Sequence, residues 1–236
     1  MTATLQPNVV ADLARVIGRT EFTQSLFLSP KRDSVSLALR VTADPRLWIV
    51  QNLKMQPVGQ RAIIFCLFKK NVQQMADFLR SKMPGRDVYE CWSGSIDKVP
   101  LFKASVAGIM VCTSVLTTGV SIDAVTSVYF LDGVSGAETC VQGAGRGARA
   151  EGERCIATLV TSKSQLEFFM TSENFKSTAV MADFCHRCDE NKADFAEEIY
   201  KLFEHPPQKG TIRKVCLQLG VYVGVTVLCH THFSGI

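Results

Sequence analysis

Four short runs do most to limit what this chain can fold into: RAIIFCLF (61–68), AGIMVCTS (107–114), VTSVYFLDG (125–133) and ERCIATLVT (153–161). The first is continuously apolar and rich in β-branched and aromatic residues, as suits a strand buried on both faces, and the other three read as strands of the same kind. Helical segments separate them. In NVQQMADFLRSKM (71–83), Val72, Met75, Ala76 and Leu79 fall on one helical face, and Asn71 with Gln74 three residues later has the form of a capping box. RDVYECWSG reads as a short strand and a turn, and VPLFKAS as a brief helix. GAETCVQGAGRGAR (136–149) has the length of a helix but too much glycine for a strong one. Strand and helix alternating at this spacing predict an α/β fold on a parallel sheet with right-handed crossovers.

Composition supports a folded domain with a real core: 47% of the 236 residues are hydrophobic and 20% charged. The formal net charge of +4 permits a polyanionic partner without demanding one. There are nine cysteines, and Cys66, Cys112 and Cys155 lie inside apolar runs, where a free thiol behaves as a small buried hydrophobe. The start, MTATLQPNVV, lacks the basic region and apolar core of a secretory signal, so an intracellular, reducing setting is expected. VCLQLGVYVGVTVLC (215–229) is too short and too interrupted to span a bilayer, so no membrane partner is expected.

Residues 141–153, VQGAGRGARAEGE, carry the pattern Gln142-x-x-Gly145-Arg146-x-x-Arg149. On a helix, Arg146 and Arg149 would be neighbours on one face, with little bulk between them to keep a second surface away. Two guanidiniums offered together suit a phosphate, because each donates in a fork. The alternatives are a solvated basic helix face and, from the G-x-G-x-G in GAGRGA, a dinucleotide site. The latter needs its glycines at the turn directly after a strand, whereas Gly143 stands well downstream of Asp132, and it leaves the arginines idle.

Taken in order, the motifs resemble the second RecA-like lobe of superfamily 2 helicases. RAIIFCLFKKNVQQMADFL is similar to motif IV and its helix, VCTSVLTTGVSID (111–123) to motif V, and QGAGRGAR to the Q-x-x-G-R-x-x-R of motif VI. The short spacing between them most resembles the RecQ group. MTATLQPNVVADLARVIG (1–18) is similar to motif III and the helix after it, at the end of the first lobe, and SPKRDSVSLALRV (29–41) to the connector between lobes. Four motifs in register are far more specific than any one of them.

The resemblance implies a RecA-like three-layer domain with a mainly parallel sheet over residues 41–165. Residues 1–40 would be the end of the first lobe and the connector, and 166–236 a partly helical extension ending in a poorly specified tail. It implies that Arg146 and Arg149 reach the γ-phosphate of ATP held against the other lobe and stabilise charge that develops during phosphoryl transfer. Gln142 would help orient the nucleotide or the attacking water's surroundings. Gly119, Gly145 and Asp123 would belong to the nucleotide site, Gly145 permitting close approach. Thr113 and the Gly119 loop would touch the DNA backbone and tie it to that site. Ser121 stands where the family usually has Asn or Asp. Trp92 and Ser93, in ECWSGS, replace a Tyr-His-x-Gly stretch; Trp92 is either a base-stacking ring or a half-buried structural one.

A phosphate loop needs G-x-x-x-x-G-K-[ST], and the sequence contains no Gly-Lys-Ser or Gly-Lys-Thr. Asp189-Glu190, its one Asp-Glu pair, follows a cysteine pair rather than a buried strand, so it is no Mg²⁺ box. The chain therefore reads as truncated at motif III, and is expected not to hydrolyse ATP without a phosphate-binding RecA-like lobe that brings ATP and Mg²⁺, in cis or in trans. Cys185-x-x-Cys188 is half of a zinc site, in the place where RecQ-type enzymes often carry one; the other half is missing at the usual spacing, and two ordinary helix cysteines are the alternative. The expectation is the C-terminal lobe of a RecQ-like, ATP-dependent 3′-to-5′ DNA helicase of the nucleus or another intracellular DNA compartment. A non-catalytic DNA- or helicase-binding remnant is the rival.

Overall fold

A computed structural model of the chain describes residues 31–57, 59–117 and 122–203. Residues Arg32–Glu198 form one compact unit. Its centre is a six-stranded sheet: β1 (Val35–Val41), β2 (Arg61–Cys66), β3 (Val88–Cys91), β4 (Ile109–Cys112), β5 (Val125–Leu131) and β6 (Cys155–Thr161). The spatial order is β1-β6-β5-β2-β4-β3, and every neighbouring pair is parallel. Parallel pairing forces each connection to cross back over the sheet, and the helices α1 (Pro45–Met55), α2 (Lys69–Lys82), α3 (Val99–Ala104) and α4 (Ala137–Ala144) lie in these crossovers. After β6 come α5 (Lys163–Thr171), α6 (Lys176–Asn191) and a short α7 (Phe195–Lys201).

Side chains alternate across the strands and so divide the core in two. Ile64, Cys66, Tyr129, Leu131, Ile109 and Val111 share one face with Ile49, Val50 and Leu53 of α1 and Val72, Met75, Ala76 and Leu79 of α2. The four α2 residues expected on one face are all fully buried. On the opposite face Phe65 and Phe130 stack with ring centroids 5.3 Å apart. Helix α4 lies on this pair so closely that a Cβ on Gly143 would sit 2.7 Å from Phe130 Cε1 and 3.1 Å from Phe65 Cε2. Helices cover both faces, the three-layer α/β architecture expected, with a sheet that is wholly parallel.

Three local expectations need correction. First, α2 starts at Lys69, two residues before Asn71. Only Leu67 and Phe68 separate it from β2; the Phe68 carbonyl accepts the Val72 N–H at 3.1 Å, and no side chain caps the helix. Gln74 accepts from Arg46 Nη2 at 3.2 Å instead of closing a capping box. Second, the stretch expected to be a connector contains an edge strand, β1, paired with β6 from Val35↔Cys155 to Val41↔Thr161. It crosses the boundary expected at 40/41. Third, α5 starts at Lys163 and so crosses the boundary expected at 165/166; it and α6 lie within the compact unit, and α6 contacts both α5 and β1. The motif III-like start and the stretch from 204 to the end of the tail lie outside the described residues. No described helix is long and apolar enough to cross a membrane.

Candidate functional site

Helix α4 ends at Ala144, so Arg146 and Arg149 do not share a helical face. They stand on the loop that follows, at the amino ends of β5 and β6. Gly143, Gly145 and Gly147 make continued helix unfavourable, and the sheet shapes what replaces it. The Ala148 N–H donates to the Val125 carbonyl at 3.0 Å, and a Cβ on Gly147 would come within 2.5 Å of Cys155 Cβ and 3.2 Å of the Val125 oxygen. The chain can press against the first residues of two strands only with glycine there. Ala148 then turns through a left-handed conformation at φ 50°, which costs a non-glycine residue roughly 1–2 kcal/mol.

Arg146 is buried, 8% exposed, and its Nη2 donates to the Thr117 carbonyl. Thr117 ends a 3₁₀ turn, Ser114–Thr117, that directly follows β4 and Thr113. The motif VI-like arginine is thus bonded to the motif V-like segment. Burial, with Arg149 nearby, pulls the Arg146 guanidinium down to about 10, which leaves it charged at neutral pH. Arg149 is exposed; partial burial and then Arg32 lower its pKa, while Asp123 opposes them.

Two further residues converge on this loop. Arg32 Nη1 donates to the carbonyls of Gly145 (3.2 Å) and Gly147 (3.3 Å), and its Nη2 to Ala148 (2.5 Å) and to Ser34 Oγ (3.4 Å). The Glu153 carboxylate accepts the Ala124 N–H on Oε1 at 2.7 Å and the Ala150 N–H on Oε2 at 2.9 Å. Neither was singled out in the sequence: the loop carbonyls that Arg32 meets are more than a hundred residues away, and the Ala124 N–H lies 29 residues before Glu153. Ala124, like Ala148, is left-handed, at φ 57°.

The remaining candidates are scattered. Gln142 is half-buried on α4. Gly145 has an ordinary right-handed backbone and room for a Cβ at normal contact, so the close approach belongs to Gly143 and Gly147. Asp123 is exposed, and its carbonyl accepts from Arg61 Nη1 at 2.7 Å. Gly119 and Ser121 lie outside the described residues. Thr113 and Trp92 stand at the other end of the sheet, just past the carboxyl ends of β4 and β3, with the Thr113 N–H on the Cys91 carbonyl at 3.1 Å. Trp92 packs partly on the core, and Lys69 Nζ lies 4.7 Å from its ring centroid; Ser93 is exposed in the turn that follows.

Cys185 and Cys188 are buried on α6, and burial pushes both thiols up. Among the described residues no group of three or more His, Cys, Asp or Glu is placed to hold a metal ion. Asp189 pairs with Lys192, just past the end of the helix, at 3.3 Å, and Glu190 with His186 on the helix at 3.3 Å, ordinary surface pairs.

A wholly parallel sheet with helices on both faces, and a glycine-flanked arginine loop bonded to the segment after β4, define a RecA-like α/β domain. Residues 46–151 match the family model of the helicase conserved C-terminal domain. No curated protein matches the chain. Among solved structures, S. cerevisiae Dbp5 bound to RNA and ADP BeF3 is similar at 15% identity and TM-score 0.53, over 86% of this chain and 54% of that one. Mycobacterium smegmatis helicase Lhr bound to ssDNA and AMP-PNP is similar at 17% identity and TM-score 0.51, over 70% and 24%. Domain 2 of the DEAD-box helicase Mss116p, bound to an RNA duplex, aligns at 24% identity and TM-score 0.49 over 62% of this chain and 60% of that one. The chain thus spans less than two thirds of each.

Proposed function

We propose that this chain is the arginine-bearing second lobe of a RecQ-like superfamily 2 helicase that uses ATP to move 3′-to-5′ on DNA. The observation that carries the reading is the bond between the Arg146 guanidinium and the Thr117 carbonyl. It ties the arginine loop to the segment that begins at Thr113, so a shift of one is felt by the other. In this reading Arg149, exposed on the same loop, and Arg146 meet the γ-phosphate of ATP held by a phosphate-binding lobe. Their donor sets fit phosphoryl oxygens, and the chain's own sequence supplies neither a phosphate loop nor an Mg²⁺ box. Thr113 and the loop after it would meet the DNA backbone. The preference for DNA and the polarity rest on the RecQ resemblance. Zinc at Cys185 and Cys188 would need ligands from outside the described residues and a shift of two buried thiols.

The test is DNA-stimulated ATP turnover by the chain together with a phosphate-binding lobe, in one polypeptide or mixed. Turnover should appear, and Arg146→Ala should reduce it by about 10³-fold or more. Turnover indifferent to Arg146 would sink the assignment. DNA binding with no turnover in any combination would favour the non-catalytic remnant.

A further inference from the structure

We propose that Arg32 and Glu153 are positioning residues that hold the arginine loop in its working shape, an inference resting on the reading of Arg146 and Arg149 as phosphate-facing. The loop leaves α4 at Gly145, passes Arg146, Gly147 and Ala148, and carries Arg149 to Ala150. Such a loop needs its backbone fixed if two guanidiniums are to meet one phosphate, and each half of it is gripped by a charged side chain.

Arg32 grips the first half. Its planar fork spreads over three acceptors of the loop, the carbonyls of Gly145, Gly147 and Ala148. These bonds are charge-assisted on the donor side, and their geometry needs two nitrogens held in one plane. A lysine ammonium supplies the charge but not the fork. Arg32 also places a positive charge near Arg149. That repulsion opposes collapse of Arg149 back onto the loop and favours an arrangement open to an anion.

Glu153 grips the second half and joins it to the segment entering β5. One carboxylate oxygen takes the Ala124 N–H and the other the Ala150 N–H. The two left-handed alanines are the points where the backbone is most ready to relax. Ala124 is pinned through its N–H by Glu153, and Ala148 through its carbonyl by Arg32 and its N–H by the Val125 carbonyl. Unfavourable backbone conformations persist where the surroundings over-determine them, and they cluster at working sites.

The experiment uses this chain together with a phosphate-binding lobe, in one polypeptide or mixed, assayed for ATP turnover on single-stranded DNA, with thermal unfolding of each variant alongside. Arg32→Ala should lower kcat about 10- to 100-fold with KM for ATP within about twofold, as expected when catalytic groups are displaced by an ångström or so. Arg32→Lys should recover only a minor part of that loss. Glu153→Gln keeps the shape but leaves one carbonyl oxygen for two N–H groups, and should lower kcat about 3- to 10-fold without preventing folding. In an Arg146→Lys background, where turnover is already impaired, Arg32→Ala should cost less than about threefold further, because residues acting as a unit are not additive.

The outcomes separate two failures. If Arg146→Ala leaves turnover unchanged, the phosphate-facing reading fails and takes this inference with it. If Arg146→Ala abolishes turnover while Arg32→Ala and Glu153→Gln leave kcat within twofold, the positioning role alone is overturned. Full additivity with Arg146→Lys overturns it as well.

Discussion

At the amino ends of β5 and β6 the backbone is held by charged side chains: an arginine fork on three carbonyls, a carboxylate on two N–H groups, and the Arg146 bond to Thr117. At the carboxyl ends of β3 and β4, Trp92 leans on the core beneath Lys69, and a single backbone bond joins Thr113 to Cys91. β5 alone is seven residues long, so roughly 20 Å separate the two ends. Ligands of open α/β sheets usually sit at the carboxyl ends, where the strand order reverses. Here the arginines are at the opposite end, reached by the segment returning from β4 to β5. A charge-gripped loop fixes where guanidiniums stand; a ring-packed end fixes a surface and leaves its polar groups to solvent.

The largest expected effect lies at the first end, where Arg146→Ala should remove nearly all turnover while DNA affinity stays within about threefold. An equal loss of both would erase the division of labour. Gly147→Ala comes next. Its Cβ has no room beside Cys155, so the variant should lose about 1–3 kcal/mol in urea unfolding, typical of overpacking. Combining it with Cys155→Ala, which removes the Sγ in the way, should restore part of that stability. No recovery would mean that the Cβ of residue 155, which alanine keeps 2.5 Å away, sets the limit rather than the thiol.

At the other end Trp92→Ala should cost about 1–2 kcal/mol of stability through lost apolar contact. Turnover at saturating DNA should stay within twofold and DNA affinity within about threefold. A tenfold loss of affinity at unchanged stability would instead place a base on that ring.

The smallest effect concerns Asp132, just past β5, where burial lifts the carboxyl above its ordinary 3.8 and Arg46 opposes the lift. A carboxyl raised on folding makes the native state the better proton binder, so stability falls as pH rises through that window. Asp132→Asn keeps a residue tolerant of the φ of 68° found there. The variant should be slightly more stable than the parent at neutral pH, and the difference should vanish below pH 3.8. An advantage that persists in acid would assign the effect to something other than charge burial.

The strands β2, β4, β5 and β6 were legible because each is a short apolar run, and the apolar face of α2 because its spacing leaves no other period. β1 was less so: in Val-Ser-Leu-Ala-Leu-Arg-Val two inward residues, Val35 and Leu37, are buried, Ser36 and Arg40 are exposed and the other three half-buried, as befits an edge. The Gln-x-x-Gly-Arg-x-x-Arg pattern drew attention to Arg146 and Arg149, but their expected helix was wrong. Helix propensity falls with each glycine, and a strand end supplies at Ala148 a hydrogen bond that a continued helix would have made.

What the sequence determined by itself was therefore periodic or local: where apolar runs make buried strands, where a helix has one oily face, and which short stretch gathers arginines among glycines. The tertiary structure decided which strands are neighbours, at which end of the sheet the arginines stand, and that Arg32 and Glu153 hold them. Those facts rest on contacts between residues far apart in the chain, and a single hydrogen bond such as Arg32 to Ala148 leaves no periodic trace in the residues that make it.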